Sequence, residues 1–250
     1  MDTRKKIKIH MKNIRLTNDY SSLNETENLR VVYDKTTDLV WIDTPIQSLY
    51  EFVDLGLSVK WATTNVGASK PEDFGLYFAW GETQGYADAY SGKGFYWGDY
   101  KYSSGQTSST STSFKGLTKY NTKSSSGTVD NKLVLEQVDD AAYTSDNTCR
   151  MPTLAELREL EANTTSTWET LNGVKGRRFT SKTNGNSIFV PAAGYCSYGS
   201  ADSVGSCGDL WSSSLDESSP RGGWCLYFYS GSVFVNSNYR YNGFSVRAVL

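Results

Sequence analysis

Histidine is nearly absent: His10 is the only one in 250 residues. A Ser-His-Asp, Cys-His or multi-histidine metal site would have to be built on that one residue, which sits in a basic N-terminal stretch. Histidine-based catalysis is therefore not expected. Cysteine is scarce as well. Cys149, Cys196, Cys207 and Cys225 contain no CxxC pair and no zinc-ligand spacing. Free thiols are favoured over a disulfide, whose pairing spacing alone does not assign, and neither a metal nor a cofactor is expected. Only 5 prolines and 22 glycines argue against wholesale disorder. No apolar run reaches membrane-spanning length. No apolar segment follows the early charges, so no secretory signal is read. A net charge of −2 speaks against a nucleic-acid binder.

What is present is aromatic. Phe, Trp and Tyr make up 14% of the chain, which suits an aromatic-rich core or a binding face. The first residues are locally basic, with Arg4, Lys5, Lys6, Lys8, Lys12 and Arg15. A nucleic-acid or membrane arm is one reading of them. Ile7, Ile9 and Met11 alternate with polar residues, which favours a half-buried strand. Residues 29–33 and 39–42 are apolar, β-branched runs around a turn-like 34–38, a hairpin pattern. Residues 1–48 are thus read as a small β-rich module for attachment or packing. Residues 49–250 form the main domain, long enough to bury a core.

Within that domain, Leu57, Val59 and Trp61 alternate as in a strand, and residues 76–80 form another apolar strand. Residues 84–128 are Ser-, Thr- and Gly-rich and read as a long surface excursion. Asp139–Tyr143 lies in a short helical patch. Residues 153–162 are the clearer helix: Thr153 and Glu156 form a capping box, Pro152 precedes it, and Leu154, Leu157 and Leu160 mark one apolar face. Asp139 with Asp140 reads as a cap, and Glu159 with Glu161 as a solvated helix face, rather than as acid–base pairs. Short strands are expected at 178–181, 187–190, 224–229, 232–236 and 244–249. Ser230-Gly231 joins two of them as a hairpin signal.

Residues 195–242 are dominated by Tyr, Ser, Gly, Asn and Trp. These types give rigid contact area and adaptable hydrogen bonding at low entropic cost. No Lys follows Lys182, no Gln follows Gln137 and no Met follows Met151. A surface without long flexible side chains loses less rotamer entropy when a partner immobilises it. Strand alternation sends Leu226 and Phe228 to the core and displays Cys225, Tyr227 and Tyr229. It likewise buries Val233 and Val235 and displays Phe234 and Asn236, followed by an exposed Ser237, Asn238 and Tyr239. An ordinary half-solvated strand with an aromatic outer face is the plainer alternative.

Three stretches resemble a known family. The first is Phe52-Val53-Asp54-Leu55-Gly56-Leu57-Ser58-Val59-Lys60-Trp61-Ala62-Thr63 with Phe78-Ala79-Trp80-Gly81-Glu82-Thr83. The second is Arg150-Met151-Pro152-Thr153-Leu154-Ala155-Glu156. The third is Leu210-Trp211-Ser212-Ser213-Ser214 with Asn242-Gly243-Phe244-Ser245-Val246-Arg247-Ala248-Val249. Over about residues 51–250 the chain resembles the major paralogous surface domains of gut Bacteroidetes and Fibrobacter. That family is related to the formylglycine-generating branch of the C-type-lectin fold. The tail is similar to the variable proteins of diversity-generating retroelements, in which template adenines are replaced by any base. Asn codons randomised in this way never yield Lys, Glu, Gln, Met or Trp. Glu217, Trp211 and Trp224 depart from that pattern and would be fixed positions.

The resemblance implies an α+β, C-type-lectin-like domain with a small N-terminal β module and a variable region at about 195–242. It implies a ligand-binding receptor or adhesin, on a phage tail tip or a bacterial cell surface, whose ligand is a protein or glycan on another cell. The lack of a signal segment favours the phage setting. Attachment to a virion or surface structure would use the N-terminal module, and a homo-oligomer would add avidity. The implied ligand-binding residues are Tyr198, Ser200, Asp202, Cys207, Asp209, Leu210, Asp216, Ser219, Arg221, Trp224, Cys225, Tyr227, Tyr229, Phe234, Asn236, Ser237, Asn238 and Tyr239. Tyr227, Tyr229, Phe234, Tyr239 and Trp224 would form the centre, and Arg221 would meet a partner carboxylate. The paired-cysteine motif of the copper oxidases in that branch is not matched, so no enzyme is expected. The sugar-binding motifs of C-type lectins are also absent. A non-variable lectin-like domain that binds glycan or protein remains the alternative.

Overall fold

The computed structural model describes residues 48–88, 90–104 and 114–250 fully, and 9–10, 30–34 and 39–43 as backbone strands. The basic residues Arg4, Lys5, Lys6, Lys8, Lys12 and Arg15, the 34–38 turn beyond Asp34, and positions 105–113 of the long excursion lie outside this description. The chain divides into two compact units, Met1–Ser48 and Leu49–Leu250. In the first, β1 (Ile9–His10), β2 (Arg30–Asp34) and β3 (Leu39–Asp43) form an antiparallel sheet in the order β1-β3-β2. The expected hairpin is present: Arg30 pairs with Asp43 and Asp34 with Leu39.

The second unit is sheet-rich, with two α-helices among the described residues. Its elements begin with β4 (Phe52–Val53), β5 (Trp61–Asn65), β6 (Tyr77–Phe78), α1 (Ala141–Ser145) and α2 (Leu154–Asn163). They continue with β7 (Thr164–Leu171), β8 (Val174–Ser181), β9 (Ser187–Pro191), β10 (Tyr195–Ser197) and β11 (Ser200–Asp202). The chain closes with β12 (Cys207–Leu215), β13 (Gly222–Tyr229), β14 (Val233–Tyr239), β15 (Phe244–Ser245) and β16 (Arg247–Val249). Four sheets result: β16-β5-β4, β7-β8-β9, β10-β11 and the five-stranded β14-β13-β12-β15-β6. No helix among the described residues is long and apolar enough to cross a membrane.

Local chemistry accounts for both helices. In α2 the Thr153 hydroxyl accepts from the Glu156 N–H at 3.3 Å, and the Glu156 carboxylate accepts from the Thr153 N–H at 2.7 Å. That reciprocal box satisfies two donors the helix leaves open. Arg150 then holds Glu156 with bonds of 2.8 and 2.5 Å. Leu157 and Leu160 are fully buried in one core cluster with Leu210, Leu226 and Phe228. For α1, the Asp140 carboxylate accepts from the Ala142 and Tyr143 N–H groups at 2.9 and 3.0 Å. Asp139 turns the other way, pairing with Lys101, Lys119 and the Tyr120 hydroxyl.

Two strand expectations shift. Leu57 and Val59 lie in bends, and the strand starts at Trp61. Gly56 adopts a φ of +66°, and its N–H is held by the Asp54 carboxylate at 2.7 Å. The chain turns there, and Leu57 and Val59 pack on the edge of the core. Of residues 76–80 only Tyr77–Phe78 is strand, because the Trp80 N–H goes to the Arg240 carbonyl instead of a ladder. Strands β7 and β12 carry no apolar alternation and had no counterpart in the sequence reading. The β7–β8 hairpin closes on Asn172-Gly173, both at positive φ, as a tight type I′ turn requires.

The α2 box carries a direct expectation. Thr153→Ala should lower the unfolding free energy by about 1 kcal/mol, read as a shifted urea midpoint with an unchanged slope. An unshifted midpoint would mean that Arg150–Glu156 alone caps the helix.

Candidate ligand-binding face

The geometry of the site begins with one register. Antiparallel partners point their side chains to the same face of a sheet. In β12 and β13, Leu210 faces Leu226 and Gly208 faces Phe228, while Cys207 faces Tyr229, Asp209 faces Tyr227 and Trp211 faces Cys225. From β14, Val235 sits beside Leu226 and Val233 beside Phe228, while Phe234 sits beside Tyr227 and Asn236 beside Cys225. One face thus carries Leu210, Leu226, Phe228, Val233 and Val235 onto α2 and Phe179 of β8. The other presents Tyr227, Tyr229, Phe234 and Asn236, with Cys207, Asp209, Trp211 and Cys225 beside and beneath them. Gly208 makes this possible: a Cβ there would come within 2.3 Å of the Phe228 ring.

The alternation read from residues 225–236 therefore holds, except at Cys225. It lies on the displayed face but is fully buried, because it packs into the second core cluster with Trp211 and Phe244. Other implied contact residues are also corrected. Leu210 is 1% exposed and belongs to the inner face. Cys207 is buried. Trp224 has the parity of Leu226 and projects away from Tyr227; the Arg158 guanidinium of α2 lies 5.6 Å from its ring. Asp216 is buried and structural: it accepts from the Ser218 and Ser219 N–H groups and from the Ser237 hydroxyl at 2.7 Å, pinning the β12–β13 loop to β14. The Ser237 hydroxyl is spent in that network, whereas Ser219 enters it only through its backbone N–H.

Arg221 donates to the Phe114 carbonyl at 3.0 Å, so its guanidinium is partly engaged within the protein. Asn238 accepts from Asn242 Nδ2 at 2.9 Å. The expected exposed run therefore shrinks to Asn236, with Ser237, Asn238 and Tyr239 half-buried. Tyr239 joins a second aromatic group, stacked on Tyr241 at 5.6 Å and edge-on to Trp97. The exposed Tyr198 packs edge-on to Tyr241 at 5.7 Å. Ser200 donates to Asp202 at 2.8 Å on β10–β11.

Three rings remain together on the displayed face. Tyr227 lies 5.9 Å from Tyr229 and 5.1 Å from Phe234, tilted rather than stacked. Tyr229 and Phe234 are 39% and 38% exposed. Arg177 fixes the turn that carries them: its Nε and Nη2 donate to the Tyr229 and Ser230 carbonyls, and its Nη1 to Ser166. Tyr195, which opens the 195–242 stretch but is not among the implied contact residues, stands opposite Asp202 across β10–β11, where both Asp202 and Asp209 raise the pKa of its phenol after burial. Its parity in a Tyr-Cys-Ser triplet was the only available signal.

The electrostatics centre on Asp209. It is 3% exposed, and burial alone pushes its carboxyl up to about 8. No hydrogen bond or ion pair to it is found among the described residues. Burial also pushes Cys207 up to about 11 and Cys196 and Cys149 up to about 12. The four cysteines are buried free thiols, protonated at neutral pH and poor nucleophiles. No group of three or more His, Cys, Asp or Glu suited to a metal is found among the described residues.

A cleft of about 460 Å³ lies elsewhere, lined by residues that include Asp140, Tyr143, Cys149 and Arg150. Its charged groups are already used, Asp140 by α1 and Arg150 by Glu156, and it shares no residue with the aromatic face. Comparison of the chain with protein-family models, curated proteins and solved structures gives no match.

Asp209 also sets a pH dependence. Unfolded, its carboxyl titrates near about 3.9; folded, it does so at about 8. Between these values the folded state binds the proton more tightly, so stability falls as pH rises across that window. Cys207 titrates well above it, which isolates Asp209. Asp209→Asn should gain on wild type by on the order of a few kcal/mol between about pH 5 and pH 9 in urea unfolding. A gap independent of pH would show that the carboxyl is not perturbed by burial.

Proposed function

We propose that this chain is a ligand-binding receptor or adhesin. Its recognition surface is the outer face of β12–β13–β14, with Tyr227, Tyr229, Phe234 and Asn236 at the centre. The observation that supports it is the separation of the two faces. One alternate set of residues in β13 and β14 builds the core, while the other set, apart from the buried Cys225, meets solvent. The displayed positions can therefore change type without touching Leu226, Phe228, Val233 or Val235. A domain that varies its ligand while keeping its scaffold needs such a division.

The composition of residues 195–242, without Lys, Gln or Met, supports the finer reading. On that reading the domain is C-type-lectin-like and its outer face is diversified by a retroelement, with a protein or glycan on another cell as ligand. The virion or bacterial surface would be its setting and the N-terminal unit its attachment. A fixed lectin-like domain with the same binding face is the second reading. The four thiols are buried and protonated, which makes them poor nucleophiles and gives both readings preference over an oxidase.

Sequencing the gene segment that encodes residues 195–242, with its flanking DNA, across one source population tests the choice. Variation should concentrate at the codons of Tyr227, Tyr229, Phe234 and Asn236, spare Leu226 and Phe228, and match adenines in a nearby near-copy. An invariant segment without such a copy would sink diversification and leave the fixed domain.

A further inference from the structure

One buried group on the displayed face has no partner. Asp209 is 3% exposed, yet its two oxygens accept no hydrogen bond from any described residue, and desolvation is the only influence on its carboxyl. Among the described residues the fully enclosed polar side-chain atoms without a partner are Trp61 Nε1 and Trp97 Nε1. The Asp209 oxygens are not among them, so an acceptor without a partner in the protein keeps an opening onto the displayed face, where a donor from outside can reach it. Its cross-strand partner is Tyr227, which groups with Tyr229 and Phe234 at 5.9 and 5.1 Å. Asp202 lies on the flank, where it and Asp209 act on the same Tyr195 phenol. No ion pair to either aspartate is found among the described residues. The spot therefore combines uncompensated acid with aromatic surface.

We propose that this spot takes an arginine side chain of a protein partner, its guanidinium lying against the three rings and donating to Asp209. The inference rests on the reading of this face as a binding surface and names its partner chemistry. A guanidinium is planar, weakly hydrated and carries parallel N–H donors that match a carboxylate. The negative faces of aromatic rings attract the same cation. A lysine ammonium is a more strongly hydrated point charge without the planar fork, so it gives up more hydration to enter and cannot stack flat on the rings while pairing with the carboxylate through two parallel donors. An anionic ligand would meet two carboxylates. With its carboxyl at about 8, Asp209 is largely protonated at neutral pH, and a cation draws it into the charged form while a neutral sugar does not.

The test titrates the full chain with N-acetyl-arginine methylamide, followed by backbone amide shifts of residues 207–211 and 225–236. The lysine and norleucine analogues and methyl glucoside are run in parallel. Saturable shifts are expected with the arginine probe, several-fold weaker ones with lysine, and none with norleucine or the glucoside. Asp209→Asn should weaken the arginine probe by roughly tenfold or more while leaving the fold at least as stable. A second variant, Phe234→Asn on the exposed rim, should weaken it by a smaller factor and keeps the test open if the first fails to fold. Unchanged affinity in Asp209→Asn, or equal binding of lysine, norleucine or the glucoside, overturns the assignment. So does the absence of any shift with the arginine probe. None of these outcomes alters the codon pattern over residues 195–242, which decides the diversification reading separately.

Discussion

The pairing register of β12 with β13 is the constraint on which the rest depends. Side chains alternate with a period of two, so a slip of one residue would carry Leu226 and Phe228 to solvent and Tyr227 and Tyr229 into the core. The register is held by fit as well as by hydrogen bonds. Gly208 sits under the Phe228 ring, and a Cβ at Gly223 would come within 2.7 Å of the Trp80 ring. Each large ring has a matching absence of side chain across from it, and only one register supplies both.

Buried cations tie the scaffold together without carboxylate partners. Arg247 is fully buried and donates to Asn65 Oδ1 and to the Ala62 and Phe189 carbonyls, which links the β16-β5-β4 sheet to β9. Desolvation lowers its pKa to about 9. Arg240, also fully buried, donates to the Tyr100 hydroxyl and to the Tyr120, Pro220 and Lys119 carbonyls. It lies 4.9 Å from the Trp80 ring centre. Burying a charge is costly unless its donors are met. Here carbonyls from distant loops meet them, so each guanidinium collects segments that have little regular structure of their own.

Asp209 is the opposite case, a buried charge-bearing group whose acceptors are not met. Among the buried charged groups Arg240, Arg247, Asp139, Asp140 and Asp216 are satisfied, and among the described residues the buried donors without a partner are the neutral Trp61 and Trp97 indoles. Asp209 falls where strand β12 passes beneath the aromatic face. Strain or desolvation kept at one place by a well-satisfied surround is a common mark of a working site.

Much of the local structure was legible in the sequence. The capping box of α2, the Asp140 cap of α1, the β2–β3 hairpin and the Leu226/Phe228 alternation follow from short-range chemistry and period. Strands β7 and β12 were not legible. Thr164–Leu171 is polar and Cys207–Leu215 carries a run of three serines, so neither shows apolar alternation; each is a strand because its neighbours pair with it. The same limit applied to the site. Sequence alone determined that residues 195–242 are built from contact-forming types and that Tyr227, Tyr229 and Phe234 oppose the core. Only the tertiary structure decided that Trp224 turns to α2, that Cys225, Cys207 and Leu210 are covered, and that Asp209 is buried without a partner. Those outcomes depend on which surfaces pack over a strand, a property of elements distant in the chain that no local pattern encodes.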